Sequence, residues 1–510
     1  MDQRLVLGNI EMLPHPARMG LSVPVPKYSR AETFQNPVLY EDYPDNDVSV
    51  GPDGAFYFSA SNFHYSPGAP ILRSLDLVNW EPIGHSIPRL NFGDGYDLPA
   101  GGPRAYRGGT WASSLRYRES NGLWYWIGCV NFWVTWVFTA ESVEGPWANR
   151  ANFGNQNCFY DNGLLIDDDD TMYVVYGSGQ VNVSQLSTDG FSVVKSQNVI
   201  QASDVPTESL EGNRMYKING TYYILNDQPG STTYIWKSSS PWGPYEPKIL
   251  VQNIDSPVPG GNPPHQGSLI KTADGNWYYM SFTWAYPAGR IPVLAPVTWG
   301  ADGYPELVKG SNGGWGTSYP SPLPTQSLYN WTRTYNFEGT ALPPTVTEDI
   351  YSARNTLTHR IHGDFPKGTV EIDFSNAADG DRFGLAAFRD QTAYVGIHCD
   401  GSVYTLKAVQ NITLDEWSGT TTGAGQEVAS APVPEGATKV WFRVELDARA
   451  SGTRAANFFY SFDGVDFTEL GPTYELYTGW AFFIAYRFGI FNYATKELGG
   501  SIKVESFTAA

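Results

Sequence analysis

The sequence predicts an all-β protein, a five-bladed β-propeller followed by a C-terminal β-sandwich of jelly-roll type. Three observations carry this expectation. Aromatic residues make up 15% of 510 residues, beside 53 Gly and 36 Pro, the mixture expected of short strands joined by tight turns. A turn followed by an aromatic-rich strand recurs five times at near-regular spacing. No long amphipathic helical pattern occurs anywhere in the chain. The length exceeds what one core serves, and the expected division is an N-terminal extension (1–29), a propeller (30–320) and a sandwich (321–510).

The five copies are DGAFYFSAS from Asp53, NGLWYWIG from Asn121, DDDTMYVVYG from Asp168, NGTYYILN from Asn219 and DGNWYYMSF from Asp274. Each is followed by a turn and a weaker strand: DLVNWEPIG, VEGPWANR, STDGFSVV, SPWGPYEPK and DGYPELV. Repeats of about 40–55 residues built this way indicate four-stranded propeller blades, the competing reading being unrelated hairpins of a sandwich. A Pro- and Ser-containing stretch, GTSYPSPLPTQSLYN, then reads as a linker. Beyond it come short strands between Gly and Asp turns (TVEIDF, RFGLAAF, AYVGIHC, SVYTLKAV, KVWFRVELDA, NFFYSFDG, AFFIAYRFGIF, SIKVESF), which suit a sandwich. Trp124 to Ala140 carries no charge, but it is short for a membrane span and is expected to form two buried strands around a turn at Asn131.

The 33 basic and 52 acidic residues give a net charge of −19. Such a surface repels a phosphate backbone, which disfavours nucleic acid as a partner. A neutral sugar polymer is not repelled and can stack on the abundant aromatic faces. Cys129, Cys158 and Cys399 allow at most one disulfide and contain no CxxC zinc pattern. The N-terminus does not read as a signal peptide, because its apolar stretch is short and carries Asp2.

In a propeller the residues entering the inner strands meet at one mouth. Asp45 in YPDNDVSV, Asp161 in YDNGLLI and Glu211 in LEGNRMYKI each precede an apolar strand start at an equivalent place. Asp42 and Asp47 compete with Asp45, Asp167 to Asp170 lie near Asp161 and fit a surface hairpin tip, and Glu208 competes with Glu211. Three carboxyls around one cavity repel one another, so one of them is expected to keep its proton near neutral pH. A protonated acid facing an ionised base is the equipment of glycosidic hydrolysis.

At these residues the chain resembles glycoside hydrolase family 43. The resemblance implies Asp45 as general base, Glu211 as general acid and Asp161 as the residue that raises and orients the acid. NFHYSPGAPILRSLDLVNW, GGTWASSLRY, HQGSLIKTADGNWYYM and AGRIPVLAPVTW are also similar to family segments. They imply that Arg290 contacts the sugar and that His265 lies near the axis, where a structural calcium is a possible ligand; no cofactor is expected for the chemistry. Phe63, His64, Trp111, Trp133 and Trp284 are the candidate substrate-binding residues, the alternative for each aromatic being core packing.

HYSPGAPI, HSIPRLNFGDGYDLP and LLIDDDDTMY resemble fungal α-L-arabinofuranosidases acting on arabinoxylan. The sandwich resembles theirs through YSARNTLTHRI and its last strands, with its first strands before Tyr351 expected to be incomplete. The WMNDPN, RDP and EC motifs of fructan-cleaving enzymes are absent from the sequence. The expected reaction is inverting release of terminal arabinofuranosyl groups from arabinoxylan, outside the cell and away from membranes. The alternatives are a β-xylosidase and a non-catalytic sugar-binding propeller.

Overall fold

The computed structural model describes residues 10–11, 33–99, 101–154, 157–326, 329–336 and 346–510. Most of the extension 1–29 lies outside the described residues. Ile10–Glu11 forms a short strand parallel to Leu357–Thr358. The described residues are otherwise strands and loops, with helix limited to the two single turns Ala202–Asp204 and Ile350–Ser352.

Five four-stranded antiparallel sheets fill the N-terminal part. Their first strands are Asp47–Val50, Thr110–Arg118, Gly163–Ile166, Glu211–Ile218 and His265–Lys271. Each lies against the first strand of the sheet before and after it, and the fifth returns to the first. This is the arrangement of a propeller. The second strands carry the aromatic repeats, as in Leu123–Val130 and Trp277–Trp284, because their apolar side chains pack between neighbouring sheets. The ring is fastened where its two ends meet. Thr33–Gln35 pairs antiparallel with Ser318–Pro320, and the Asn36 side chain bonds to Leu294 and Gly316.

The uncharged window forms two strands, Leu123–Val130 and Val134–Ala140, that reverse at Asn131 and Phe132, both with positive φ. No helix among the described residues is long and apolar enough to cross a membrane. Cys129 at the end of this hairpin's first strand is bonded to Cys158. The bridge ties the hairpin to the segment that leads into Asp161.

The C-terminal part is two packed sheets. One contains Leu357–Arg360, Arg487–Ala494, Asp381–Phe388, Gln391–Asp400, Val403–Leu414 and Thr421–Pro432; the other is built on Arg333–Asn336, Ser501–Ala509, Lys367–Asn376, Lys439–Leu446 and Ala455–Ser461. Inward residues alternate along Lys367–Asn376 and Lys439–Leu446, the period of strands with one face in a core. Before Tyr351 the described residues contain one short sandwich strand, Arg333–Asn336, paired with Ser506–Ala509. One expectation is corrected. AFFIAYRFGIF is a strand only from Arg487; Phe482 and Phe483 lie in a loop turned toward the propeller, with Phe483 at a φ of 68°.

Candidate active site

Asp45, Asp161 and Glu211 line one cavity of about 500 Å³. The backbone explains why they meet. Asp45 and Asp161 each stand two residues ahead of an inner strand, both with positive φ (61° and 48°), and Glu211 opens the inner strand of the fourth sheet. Aspartate is among the non-glycine residues that adopt this left-handed conformation most readily.

The three carboxyls have different surroundings. Asp45 is buried, accepts a hydrogen bond from Ser61 Oγ at 2.6 Å and pairs with the Arg290 guanidinium at 2.5 Å. Asp161 Oδ2 accepts the Gly212 N–H at 2.8 Å. Burial, and then the charges of Glu211 and Asp45, push the Asp161 carboxyl up to about 8. Glu211 accepts hydrogen bonds from Tyr160 Oη (3.1 Å) and Ser209 Oγ (3.0 Å). The site therefore combines a carboxyl held by a cation with Asp161, where burial and the neighbouring charges favour the protonated form.

The competing acids do other work. Asp47 is fully buried and tied to Arg116 and Arg214. Asp42 accepts the N–H groups of Arg290 (2.8 Å) and Ala485 (3.0 Å). Asp167 holds Lys217 and Tyr222, Asp170 holds Arg118, and Glu208 is exposed.

Phe63, Trp111, Trp284, Arg290 and His265 line the cavity as well. The Arg290 guanidinium lies 5.5–5.7 Å from the rings of Phe63, Phe282, Phe483 and Trp284, which keeps it beside Asp45. Two of the expected binding residues lie off the cavity lining. His64 is outside the lining; its Nε2 donates to Phe482 O (2.7 Å), its Nδ1 accepts from Arg107 N (2.9 Å) and its ring stacks on Phe482. It joins the two sheet systems and, by burial, is neutral. Trp133 is 57% exposed and off the lining, because the left-handed tip of its hairpin turns the adjacent Phe132 into the cavity instead.

His265 donates from Nδ1 to Pro263 O (2.9 Å), and burial lowers its ring to about 4. One neutral ring nitrogen is a poor basis for calcium, which takes about six to eight oxygen ligands. Among the described residues no three His, Cys, Asp or Glu side chains form a cation-holding group. These residues do not fit the expected cation, and no step is assigned to one.

Several lining residues were not singled out from sequence: Tyr160, Phe132, Arg107 and Gln266 from the propeller, and Trp417, Trp480 and Phe483 from the sandwich. Trp480 stacks on Trp284 (6.0 Å, 13°). Arg107 lies under Trp417 at 4.3 Å and donates to Glu416 O. Trp417 and Trp480 are 60% and 48% exposed, so they form an aromatic rim rather than core. Of these, Tyr160 carries a sequence signal, because it stands directly before Asp161 in FYDNGLLI.

Comparison with known proteins identifies the family. The family model described as Glycosyl hydrolases family 43 matches residues 34–305, and one described as Beta xylosidase C-terminal Concanavalin A-like domain matches residues 340–509. A beta-xylosidase of Formosa agariphila is 26% identical over 93% of this chain and 90% of its own. A non-reducing end alpha-L-arabinofuranosidase of Bacteroides ovatus is 33% identical over 54% of each chain. A solved family 43 glycoside hydrolase, engineered to display both endo-xylanase and exo-arabinofuranosidase activity, superposes with a TM-score of 0.88 at 42% identity, over 94% of this chain and 99% of that one. The sandwich is thus concanavalin A-like. The relatives carry both xylosidase and arabinofuranosidase names, so the comparisons reach the family and not the narrower fungal group. Carboxyls gathered in one pocket and a family match over more than half its length place the chain in glycoside hydrolase family 43, an inverting family of enzymes.

Proposed function

We propose that this enzyme releases terminal α-L-arabinofuranosyl side groups from arabinoxylan by single-displacement hydrolysis at the centre of a five-bladed propeller. The observation that carries the reading is the unequal treatment of the three carboxyls in one cavity. Asp45, paired with the Arg290 guanidinium, is the carboxyl that takes a proton from water. The Asp161–Glu211 pair keeps a proton, and Glu211, held by Tyr160 and Ser209, delivers it to the leaving oxygen. Asp161, whose carboxyl burial and the neighbouring Glu211 charge push up, shares that proton with Glu211, and it holds the acid's strand by accepting the N–H of the residue after Glu211. In an inverting reaction the base and acid stand about 6.5–9.5 Å apart, with water between them.

A cavity of about 500 Å³ seats a terminal sugar, and the rim of Trp417 and Trp480 offers faces to the polymer carrying it. The 42% identical structure with exo-arabinofuranosidase activity and the 33% identical arabinofuranosidase support arabinose. The second reading, a β-xylosidase, is favoured by the 26% identical relative. Paired assays with aryl α-L-arabinofuranoside and aryl β-xyloside decide between them, and release of xylose in preference to arabinose defeats the first reading. If neither sugar is released, the non-catalytic reading takes its place. The polymeric substrate places the enzyme outside the cell in this proposal.

A further inference from the structure

Behind the acid lies a fourth carboxyl. Asp227, in the second strand of the fourth sheet, stands directly opposite Glu211 in the antiparallel register, so both side chains share one face of the sheet. Asp227 is 1% exposed, and its Oδ1 has no hydrogen-bond partner. The backbone bends around it. Pairing shifts between Glu211 and Arg214, and Gly212 takes a φ of 63°. A β-carbon at Gly212 would stand 2.3 Å from Asp227 Oδ1 and 2.5 Å from Gln266 Cγ, so glycine is required. That same glycine gives its N–H to Asp161 Oδ2. Asp227 thus packs under the peptide that holds the acid's neighbour.

The ionisable groups facing Asp227 are Glu211 and Arg214 from the adjoining strand, Asp161 and Asp45 from the turns before two other inner strands, and Tyr279 from the fifth sheet. Three of them are carboxyls that oppose another negative charge. Arg214 is the cation among them, and it is committed to Asp47 and to the carbonyls of Asp45, Asn46, Asn162 and Asn213. A buried carboxyl with an unpartnered oxygen and no cation of its own keeps its proton.

We propose that Asp227 is a positioning residue for the acid step: a carboxylic acid that stays neutral beneath Gly212, seats the Gly212 N–H on Asp161 and adds no charge beside Glu211. The proposal rests on Glu211 being the acid. An amide of the same shape should serve equally, and a small side chain should not.

The test compares Asp227→Asn and Asp227→Ala by kcat, KM and pH profile on an aryl glycoside that the wild type cleaves. The Asn variant is expected to keep kcat within about threefold and both limbs of the profile within about half a pH unit. The Ala variant is expected to lose about tenfold or more in kcat, with KM changed less than about threefold. An alkaline limb displaced downward by about one unit in the Asn variant shows that Asp227 is charged in the wild type and overturns the proposal, as does an Ala variant with wild-type kcat. Should the Ala variant fail to fold, the infrared spectrum of the Asn variant near neutral pH decides. Loss of a protonated-carboxyl band relative to wild type supports the neutral acid, and an unchanged spectrum overturns it. Glu211→Ala is assayed on arabinoxylan in parallel, and full activity there locates the failure in the acid assignment rather than in Asp227.

Discussion

Replacing Asp161 by Asn reads the charge balance of the pocket through the stability of the whole protein. Burial, and then the charges of Glu211 and Asp45, move this carboxyl from 3.8 up to about 8. In the unfolded chain it ionises at its ordinary value. Between those two pH values the folded protein binds a proton that the unfolded chain has released, so stability falls as pH rises through the window. One proton of difference corresponds to about 1.4 kcal/mol per pH unit. From about pH 5 to about pH 7 this single group therefore removes on the order of 3 kcal/mol. Below the lower value both states hold the proton and the effect vanishes; above the upper value it stops growing. Asn carries no charge and abolishes the dependence. Urea denaturation of both proteins at the two pH values and one ionic strength should show Asp161→Asn gaining about 3 kcal/mol on the wild type between pH 5 and pH 7. A stability difference that is the same at both values would refute the reasoning, because the folded Asp161–Glu211 pair would then not retain a proton that Asp161 brings to it.

Asp45→Ala and Glu211→Ala should each lower kcat on arabinoxylan by about 10²–10⁴-fold. An aryl glycoside with a good leaving group should recover much of the rate in the Glu211 variant and none in the Asp45 variant, because only the acid becomes dispensable. Proton NMR of the first-formed sugar should show the inverted anomer, and a retained one would rule out a single displacement. Trp417→Ala should raise KM for the polymer by up to about tenfold, the value of one aromatic contact, and leave KM for a small aryl glycoside unchanged. Exchanging Cys129 and Cys158 for Ser should cost about 2–4 kcal/mol in denaturation.

The propeller sheets were legible because each second strand repeats the same turn and aromatic run, and their periodicity survives without any knowledge of contacts. Asp45, Asp161 and Glu211 were legible because each is a carboxyl at the same place relative to an inner strand. Asp47 could be separated from Asp45 only in three dimensions, where Arg116 and Arg214 are seen to claim it. Trp133 and Phe132 are equivalent in composition, and the left-handed hairpin tip chooses between them. Trp417, Trp480 and Phe483 were invisible for a different reason: they lie far along the chain in loops with no repeat, and only docking of the sandwich brings them to the rim. Thr421–Pro432 escaped notice as a strand because it is polar and largely exposed.

Asp42 takes one N–H from Arg290 and another from Ala485, stitching the opening part of the chain to its closing part. During translation the segment bearing all three acids leaves the ribosome well before Phe483 exists. Until then its chamber has a floor and no roof. A chain ending in the linker would carry the three carboxyls of the proposed chemistry but not Trp417, Trp480 or Phe483, so the far side of the chamber is supplied only by the last stretch of synthesis.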